Sequence, residues 1–328
     1  MRNRLAGRFA LTTAAMIVAA YWSAHAQQGT PGQPSETQAR GSAQGRGRGP
    51  AEPPQPTPRL ADGTVNFGRV PGEKGIWNVP YITNMGMRLI DDQGKPLAPQ
   101  PEGRGGRGGG RAGGAPLGGG EGGGGGGGRG GAKSEPWVPF QPWAASVYDY
   151  NSKNQSKYDP EGFCLPPGGP RLMATPYPAE IIQLPEQKRV LMIFEGATHI
   201  WREIFMDGRE HPKGDALNPT YLGHSVGHYE GDALVVDVVG FNEATWLDYF
   251  GHPHTDQLHI VERFTRPSKQ TLHYEATIDD PGAYTKAFKV AWDIPWNARG
   301  ELSEYICQEN NKYLQRLTDD FGKPLFGK

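Results

Sequence analysis

Residues 257–279 read QLHIVERFTRPSKQTLHYEATID and contain two runs in which apolar and polar residues alternate. Alternation with a period of two is the pattern of a β-strand, and the PSKQ segment between the runs is typical of a turn. The sequence therefore predicts an antiparallel hairpin in which residues 258–265 pair with residues 272–279.

The register of this hairpin follows from the side chains that each alignment brings opposite one another. When Arg263 faces Glu275, opposite charges pair and the apolar residues of both strands share one face. A shift by one residue places Glu262 opposite Glu275 and scrambles the apolar faces, which sheet pairing disfavours. We therefore predict the first register, whose apolar face contains Leu258, Ile260, Phe264, Tyr274, Ala276 and Ile278.

This register also places the carboxylate of Glu262 on the apolar, inward face. A buried carboxylate is costly unless it is paired or lines a wet cavity. Arg202 presents the same problem in HIWREIFM, because it alternates with Ile200, Ile204 and Met206. We predict an inward Arg202–Glu262 pair, which serves either as an ion pair that fixes the fold or as the polar floor of a ligand cavity.

The remaining ordered sequence also consists of short strand patterns. DGRE at 207–210 is interpreted as a hairpin turn, and one short helix is expected at 140–151. No strand–helix alternation supports a parallel α/β fold. The predicted fold class is all-β, an antiparallel β-barrel or sandwich of lipocalin-like form, with a few short helices and long loops. The other strand candidates are 189–196, 199–206, 222–229, 233–241 and 287–294.

The beginning of the chain predicts export. An arginine-rich start precedes a short apolar run at 9–22, and Ala24 and Ala26 form an A-x-A cleavage pattern. Residues 1–26 are therefore interpreted as a signal peptide, with an uncleaved N-terminal anchor as the alternative. The expected location is periplasmic or secreted, with no stable membrane insertion after cleavage.

Two segments of biased composition flank or interrupt the strand patterns. Residues 27–58 lack bulky apolar side chains and predict a disordered leader, and about 99–134 predicts a glycine-rich disordered insertion. The rest of 59–328 forms one β-rich domain. The formal net charge is -1, and the arginines are sparse in the glycine-rich tract, so no nucleic-acid partner is expected.

The chain has 2 cysteines, Cys164 and Cys307. In an oxidising compartment such a pair predicts a disulfide in preference to two free thiols. There is no C-x-x-C motif, which argues against a redox or structural zinc role for these residues.

The histidines suggest a metal site in GHPHTDQ at 251–257. His252, His254 and Asp256 alternate in an extended segment, which could supply two nitrogen ligands and one oxygen ligand to a divalent metal. The alternative is that His254, Thr255 and Asp256 cap the beginning of the following strand by side-chain hydrogen bonds. The cofactor is otherwise unknown from sequence.

Aromatic and polar residues near these histidines predict a small-molecule site. The first functional hypothesis is an exported barrel that binds a small, partly apolar molecule. The second is a hydrolase, lyase or isomerase in the same cavity, in which His254 or Glu262 moves a proton, and the third is a cell-envelope interaction protein. The predicted ligand-binding residues are Arg202, His224, Trp246, Asp248, Tyr249 and Glu262.

Several long motifs occur in order along the chain: CLPPGGPR, GHSVGHYEGDALVV, GHPHTDQLHIVERF, TIDDPGAYTKAF and EYICQENN. Together they resemble a large family of secreted bacterial proteins, common in Acidobacteria and some Proteobacteria, whose members are hypothetical proteins. The resemblance covers nearly all of 59–315, and the glycine-rich insertion departs from it. It implies export but supplies no catalytic residue and no substrate.

Overall fold

The structure is a computed structural model that describes residues 53–99, 135–196, 200–309 and 323. The predicted signal peptide, most of the predicted leader and nearly all of the glycine-rich insertion lie outside the described residues. The last residues of the predicted leader are described and attached to the barrel. The Thr57 hydroxyl donates a hydrogen bond of 2.7 Å to the carbonyl of Arg266, and the Lys269 amide donates to the carbonyl of Gln55.

Within the described residues, nine strands close into a β-barrel, and a tenth strand, β2, pairs with β10. The order around the barrel is β1-β3-β4-β5-β6-β7-β8-β9-β10, and β10 pairs back to β1 through Trp296 and Trp77. The strands are β1 (Ile76–Asn78), β2 (Leu89–Ile90), β3 (Pro178–Leu184), β4 (Arg189–Phe194), β5 (Trp201–Phe205), β6 (His224–Glu230), β7 (Ala233–Val239), β8 (His259–Ser268), β9 (Thr271–Asp279) and β10 (Phe288–Asn297).

The described part of the chain has one α-helix, α1, and several short 3-10 turns. The sequence predicted a helix at 140–151, and α1 spans Pro142–Tyr158. The 3-10 turns are Met85–Arg88, Pro160–Phe163, Gly169–Met173, Pro185–Gln187 and Gly214–Ala216. No helix among the described residues is long and apolar enough to cross a membrane.

The predicted register of the β8–β9 hairpin is confirmed. Arg263 lies opposite Glu275, and Phe264 lies opposite Tyr274, with a shift in pairing only between Thr265 and Ser268. The burial of β8 alternates residue by residue, so its inward face joins the core while its outward face remains accessible. Arg263 forms an ion pair with Glu230 of β6 and not with Glu275, because the outward side chain reaches across β7.

The prediction of a purely antiparallel barrel is wrong at one place, and a lipocalin-like form is not confirmed. Strands β5 and β6 are parallel, so the sheet is mixed. DGRE at 207–210 does not close a hairpin. The chain between Phe205 and His224 returns along the barrel, through the turn Gly214–Ala216, and enters β6 in the same direction as β5. Strands β4 and β5 also form an antiparallel hairpin. In a simple barrel the segments 189–206 and 258–279 would be adjacent hairpins, and this expectation is wrong because β6 and β7 lie between them.

The predicted disulfide is confirmed. Cys164 and Cys307 are bonded, with their Cα atoms 5.6 Å apart. The bond attaches the C-terminal segment to the turn Pro160–Phe163. Nearby, the guanidinium of Arg171 forms a bidentate ion pair with Asp159, and both side chains are buried. The CLPPGGPR segment is therefore fixed both covalently and by a buried charge pair.

Candidate functional site

The barrel interior contains a polar cluster, and the predicted Arg202–Glu262 pair is confirmed at its centre. Nη2 of Arg202 lies 2.5 Å from Oε2 of Glu262, and its Nε donates to the Ser225 hydroxyl at 2.9 Å. The Tyr274 hydroxyl donates to the other oxygen of Glu262 at 2.8 Å. Burial, reinforced by the Glu262 carboxylate, raises the pKa of Tyr274 well above its usual value.

The contact between β5 and β6 is short. Only two residue pairs join these strands, Ile204 with Ser225 and Phe205 with Val226. On the side where both strands begin, they separate and leave a pocket of about 520 Å³, which we call the seam pocket. Its lining residues are Pro166, Trp201, Arg202, Glu203, Phe205, Pro212, Ala216, Leu217, Asn218, Thr220, Tyr221, Leu222, Gly223, His224 and Ser225.

Arg202 and Ser225 belong both to the interior cluster and to the lining of the seam pocket. The side chain of Arg202 is only 4% exposed, so its guanidinium charge is largely shielded from solvent. Within the described part of the chain, its Nε and Nη2 have hydrogen-bond acceptors, whereas Nη1 has none. The arrangement holds a guanidinium in one orientation at the inner end of the pocket.

His224 lines the same pocket and contacts a second histidine. The Nδ1 atoms of His211 and His224 are 2.8 Å apart, and the Phe205 ring stacks on His224 at 5.3 Å. Nε2 of His211 lies 3.5 Å from Asp237, which also contacts His259 at 2.6 Å. Partial burial, followed by the charges of His211 and Arg209, lowers the pKa of His224.

A second, smaller pocket of about 330 Å³ lies where β5 and β6 separate on the other side. Its wall includes Met206 after β5 and Gly227 and His228 of β6. Of its charged side chains, Arg189 contacts Glu203 at 3.0 Å and His228 contacts Glu230 at 3.2 Å, whereas Asp62 and Lys188 are exposed. The seam pocket is therefore the better candidate for a binding site.

His252 lies in a separate buried cluster. Its Nδ1 is 2.7 Å from Oδ2 of Asp248, and its Nε2 is 3.4 Å from Oε2 of Glu135. Neither contact is aligned as a hydrogen bond, although both are within ion-pair distance. Burial alone would lower the pKa of His252, but the two carboxylates outweigh it and raise that pKa to about 9. Burial alone would raise the pKa of Asp248 and of Glu135. The contacts with His252 outweigh burial and lower the pKa of both carboxyl groups.

The proposed metal ligands His252, His254 and Asp256 are not brought together. His252 faces Asp248, whereas Nε2 of His254 contacts the Thr245 hydroxyl at 2.8 Å, and Asp256 is exposed. Residues 252–256 do not run as a regular strand, so alternate side chains do not share a face. No three histidine, cysteine, aspartate or glutamate side chains in the described residues are placed to hold one metal ion.

The strand-capping alternative is partly realised. Thr255 donates both its backbone amide and its hydroxyl to the carboxylate of Asp280, each at 2.6 Å, and His254 bonds Thr245. The aspartate that fixes this loop is therefore Asp280, not Asp256. Burial, only partly offset by neighbouring acceptors, lowers the pKa of His254.

The remaining predicted site residues lie away from the seam pocket. Asp248 is fully buried beside His252, and Tyr249 packs edge-on against Tyr81 and Phe250. Trp246 is half-buried in the same loop but does not line the pocket. Of the two residues suggested for proton transfer, Glu262 lies behind Arg202 and His254 lies in the loop. Only Arg202 and His224 of the predicted ligand-binding residues line the pocket.

Several residues of these clusters escaped the sequence analysis. Ser225 lies on the inward face of its strand, a position that the alternation pattern alone could have indicated. Tyr274 was predicted to face inward, but its hydrogen bond to Glu262 was not predicted. Glu135 carries no local signal, because it follows the glycine-rich tract and meets His252 only in the folded chain.

No protein-family model, curated protein or solved structure matches this chain. The fold and the site define a protein with a mixed β-barrel and a pocket in the barrel wall. Its function must be inferred from the pocket itself, because a fold alone does not determine function.

Proposed function

We propose that the protein binds a small organic anion with an apolar or aromatic body in the seam pocket. The observation that carries this proposal is the placement of Arg202. A guanidinium offers hydrogen-bond donors in a fixed planar fork that suits carboxylates and phosphates. Here Glu262 and Ser225 hold two nitrogens of that fork, which leaves Nη1 without an acceptor among the described residues, on a side chain that lines the pocket.

The other walls of the pocket suit an apolar body. Trp201 is 59% exposed at the rim, which is unusual for so large an apolar side chain, and Phe205, Leu217 and Leu222 line the same pocket. Small-molecule sites combine such walls with a few fixed polar groups. A volume of about 520 Å³ is large enough for a ring system carrying one acidic group.

The enzymatic alternative has less support from the geometry. Glu262 and His254, the residues suggested for proton transfer, do not line the seam pocket. Glu262 is engaged by Arg202 and Tyr274, so its carboxylate acts as a support for the guanidinium. Binding is therefore the function that this site supports best.

We further propose that binding takes place after export, in the periplasm or outside the cell. The disulfide is typical of oxidising compartments. The predicted signal peptide and the resemblance to a secreted bacterial family are consistent with the same location.

The proposal can be tested by titrating the mature protein with aryl carboxylates and, in parallel, with their primary amides. Calorimetry should give saturable binding of carboxylates and at least about tenfold weaker binding of the amides, since a charge-assisted bond contributes on the order of 1.5–3 kcal/mol. Equal affinity for the acid and its amide would show that Arg202 does not recognise the charge of the ligand. Absence of binding across both series would contradict the proposal.

Two tryptophans provide a matched test of location. Trp201→Ala removes a wall of the seam pocket and should weaken carboxylate binding about tenfold. Trp143→Ala removes a tryptophan of comparable exposure on α1, which is not in the pocket lining, and should leave binding unchanged. If both variants bind equally well, the ligand lies elsewhere.

A further inference from the structure

The cluster around His252 contains a concentration of buried polar atoms without hydrogen bonds. These atoms are Oδ1 of Asn84, Oε2 of Glu135 and both ring nitrogens of His252. Buried polar atoms in folded proteins almost always have a partner in the protein, an ordered water or an ion. Nδ1 of His252 faces Asp248, whereas Nε2 lies beside Oε2 of Glu135, so the atoms on the Nε2 side point to a ligand that they share.

The spacing of these atoms fits a coordinated ion. Nε2 of His252 and Oε2 of Glu135 are 3.4 Å apart and are not aligned as a hydrogen bond. Two ligands at about 2.1 Å from a tetrahedral zinc ion lie about 3.4 Å from each other. The distance is therefore that of two neighbouring ligands of one ion.

Asn84 supplies a third donor atom beside Glu135. A Cβ on Gly86 would lie 1.9 Å from Oε2 of Glu135 and 3.0 Å from Oδ1 of Asn84. Both oxygens therefore lie around the same glycine, whose missing side chain leaves them room. The imidazole nitrogen and the carboxylate oxygen are ligand types that zinc uses, and the amide oxygen is the third member of the set.

The charges of the cluster also favour a cation. Asp248 and Glu135 are both buried, at 0% and 8% exposure. In the described part of the chain, His252 is the only cationic side chain that contacts either carboxylate. Two buried carboxylates are poorly compensated by one imidazolium, whereas one divalent ion with a neutral imidazole balances both.

Outer contacts hold the proposed ligands in place. Asp248 lies against Nδ1 of His252, on the side of the ring opposite Glu135, and accepts from the Met85 amide at 2.5 Å. Oε1 of Glu135 accepts from the Tyr148 hydroxyl at 2.6 Å and from the Asn84 amide at 2.5 Å. A carboxylate behind a histidine and hydrogen bonds to a ligating carboxylate are the usual supports of a metal site.

We propose that Glu135, His252 and Asn84 bind one Zn²⁺ ion, with water as the fourth ligand. The ion joins three stretches of chain to one another: the turn at Met85, the segment around Glu135 and the loop 248–254. The site does not depend on the seam pocket.

The test is the metal content of mature, untagged protein purified without chelator, measured by elemental analysis and native mass spectrometry. We expect one Zn²⁺ per chain, a fall in melting temperature after chelation and its recovery on adding Zn²⁺. Glu135→Gln and His252→Gln should lose the ion. Because these variants can also disturb folding, Tyr148→Phe provides a milder change that should weaken Zn²⁺ binding about tenfold or more.

The double variant His211→Gln/His224→Gln is the matched control, because it removes the other close pair of imidazoles. It should retain the ion. Loss of Zn²⁺ from this variant alone would move the site to that pair and overturn the proposal. A metal-free protein whose melting temperature does not respond to Zn²⁺ would overturn it as well.

Discussion

Nη2 of Arg202 lies 2.5 Å from Oε2 of Glu262, although their strands, β5 and β8, are separated in the sheet by β6 and β7. Both side chains are almost fully buried, at 4% and 1% exposure. The pair therefore spans the barrel interior and connects two parts of its wall. One of its ends lies at the short β5–β6 contact, where the wall opens into the seam pocket.

Glu262→Gln should destabilise the protein by about 3–5 kcal/mol, because it leaves the buried charge of Arg202 uncompensated. The matched control is Glu275→Gln, which alters a carboxylate on the outward face of the neighbouring strand β9 and should change stability by less than about 0.5 kcal/mol. Urea unfolding of the three proteins measures both values. Equal, small effects would show that the pair does not stabilise the fold.

The hairpin and its inward charge were predictable because they depend on local alternation. The alternation of polar and apolar residues in 258–279 determines which side chains face inward. Two inward side chains of opposite charge are expected to pair, because a buried charge without a partner is costly. The parallel β5–β6 contact was not predictable in this way. Alternation is the same for either strand direction, and only the path between Phe205 and His224 decides it.

The interpretation of the histidine loop failed for a different reason. Spacing within a short segment predicts a shared face only if the segment is a regular strand, and residues 251–255 are not. The partners of His252 come from distant segments, at Glu135 and Asp248. Two residues of the seam pocket, Arg202 and His224, were among the predicted ligand-binding residues, but the pocket itself arises from tertiary structure.

Removing the disulfide should destabilise the protein without changing the barrel. The bond closes a loop with a sequence separation of 143 residues. The chain-entropy model gives about 5 kcal/mol for such a loop, which we take as the upper value for Cys164→Ser/Cys307→Ser. Guanidinium unfolding of oxidised, reduced and doubly substituted protein provides the measurement. The reduced and substituted forms should agree; unchanged stability in both would contradict the role of the bond.

Substitution of Arg266 by lysine should lower the stability of the fold. Arg266 donates to the carbonyl oxygens of Gly68 at 2.9 Å and Lys269 at 2.8 Å, and its guanidinium lies over the rings of Trp77 and Trp296. A lysine cannot form this fork, and its compact charge would be poorly solvated there. We expect Arg266→Lys to lower the unfolding free energy by about 3 kcal/mol.

Arg263 is the control for this substitution. It lies on the same strand, faces outward and forms an exposed ion pair with Glu230. Arg263→Lys should change stability by less than about 0.5 kcal/mol. If chemical denaturation gives the same small change for both lysine variants, the carbonyl and ring contacts of Arg266 do not stabilise the fold.

His224 should make the stability of the protein depend on pH near neutrality. Partial burial, followed by the charges of His211 and Arg209, lowers its pKa in the folded state. Between this lowered pKa and the unfolded value of about 6.5, the unfolded chain binds more protons, so stability increases with pH. The contribution of His224 is therefore complete above about pH 6.5 and is lost as the pH falls through its folded pKa.

Unfolding free energies measured by urea between pH 5 and 8 should decrease less steeply on acidification in His224→Gln than in the unsubstituted protein. His211→Gln should also flatten the dependence, because it removes one of the charges that lower the pKa of His224. His228→Gln is the matched control, since His228 lies on the same strand, exposed and paired with Glu230. The prediction requires the slope of His224→Gln to differ from that of His228→Gln. Coincident slopes would mean that His224 titrates alike in the folded and unfolded chain, and that its contact with His211 does not bias its protonation.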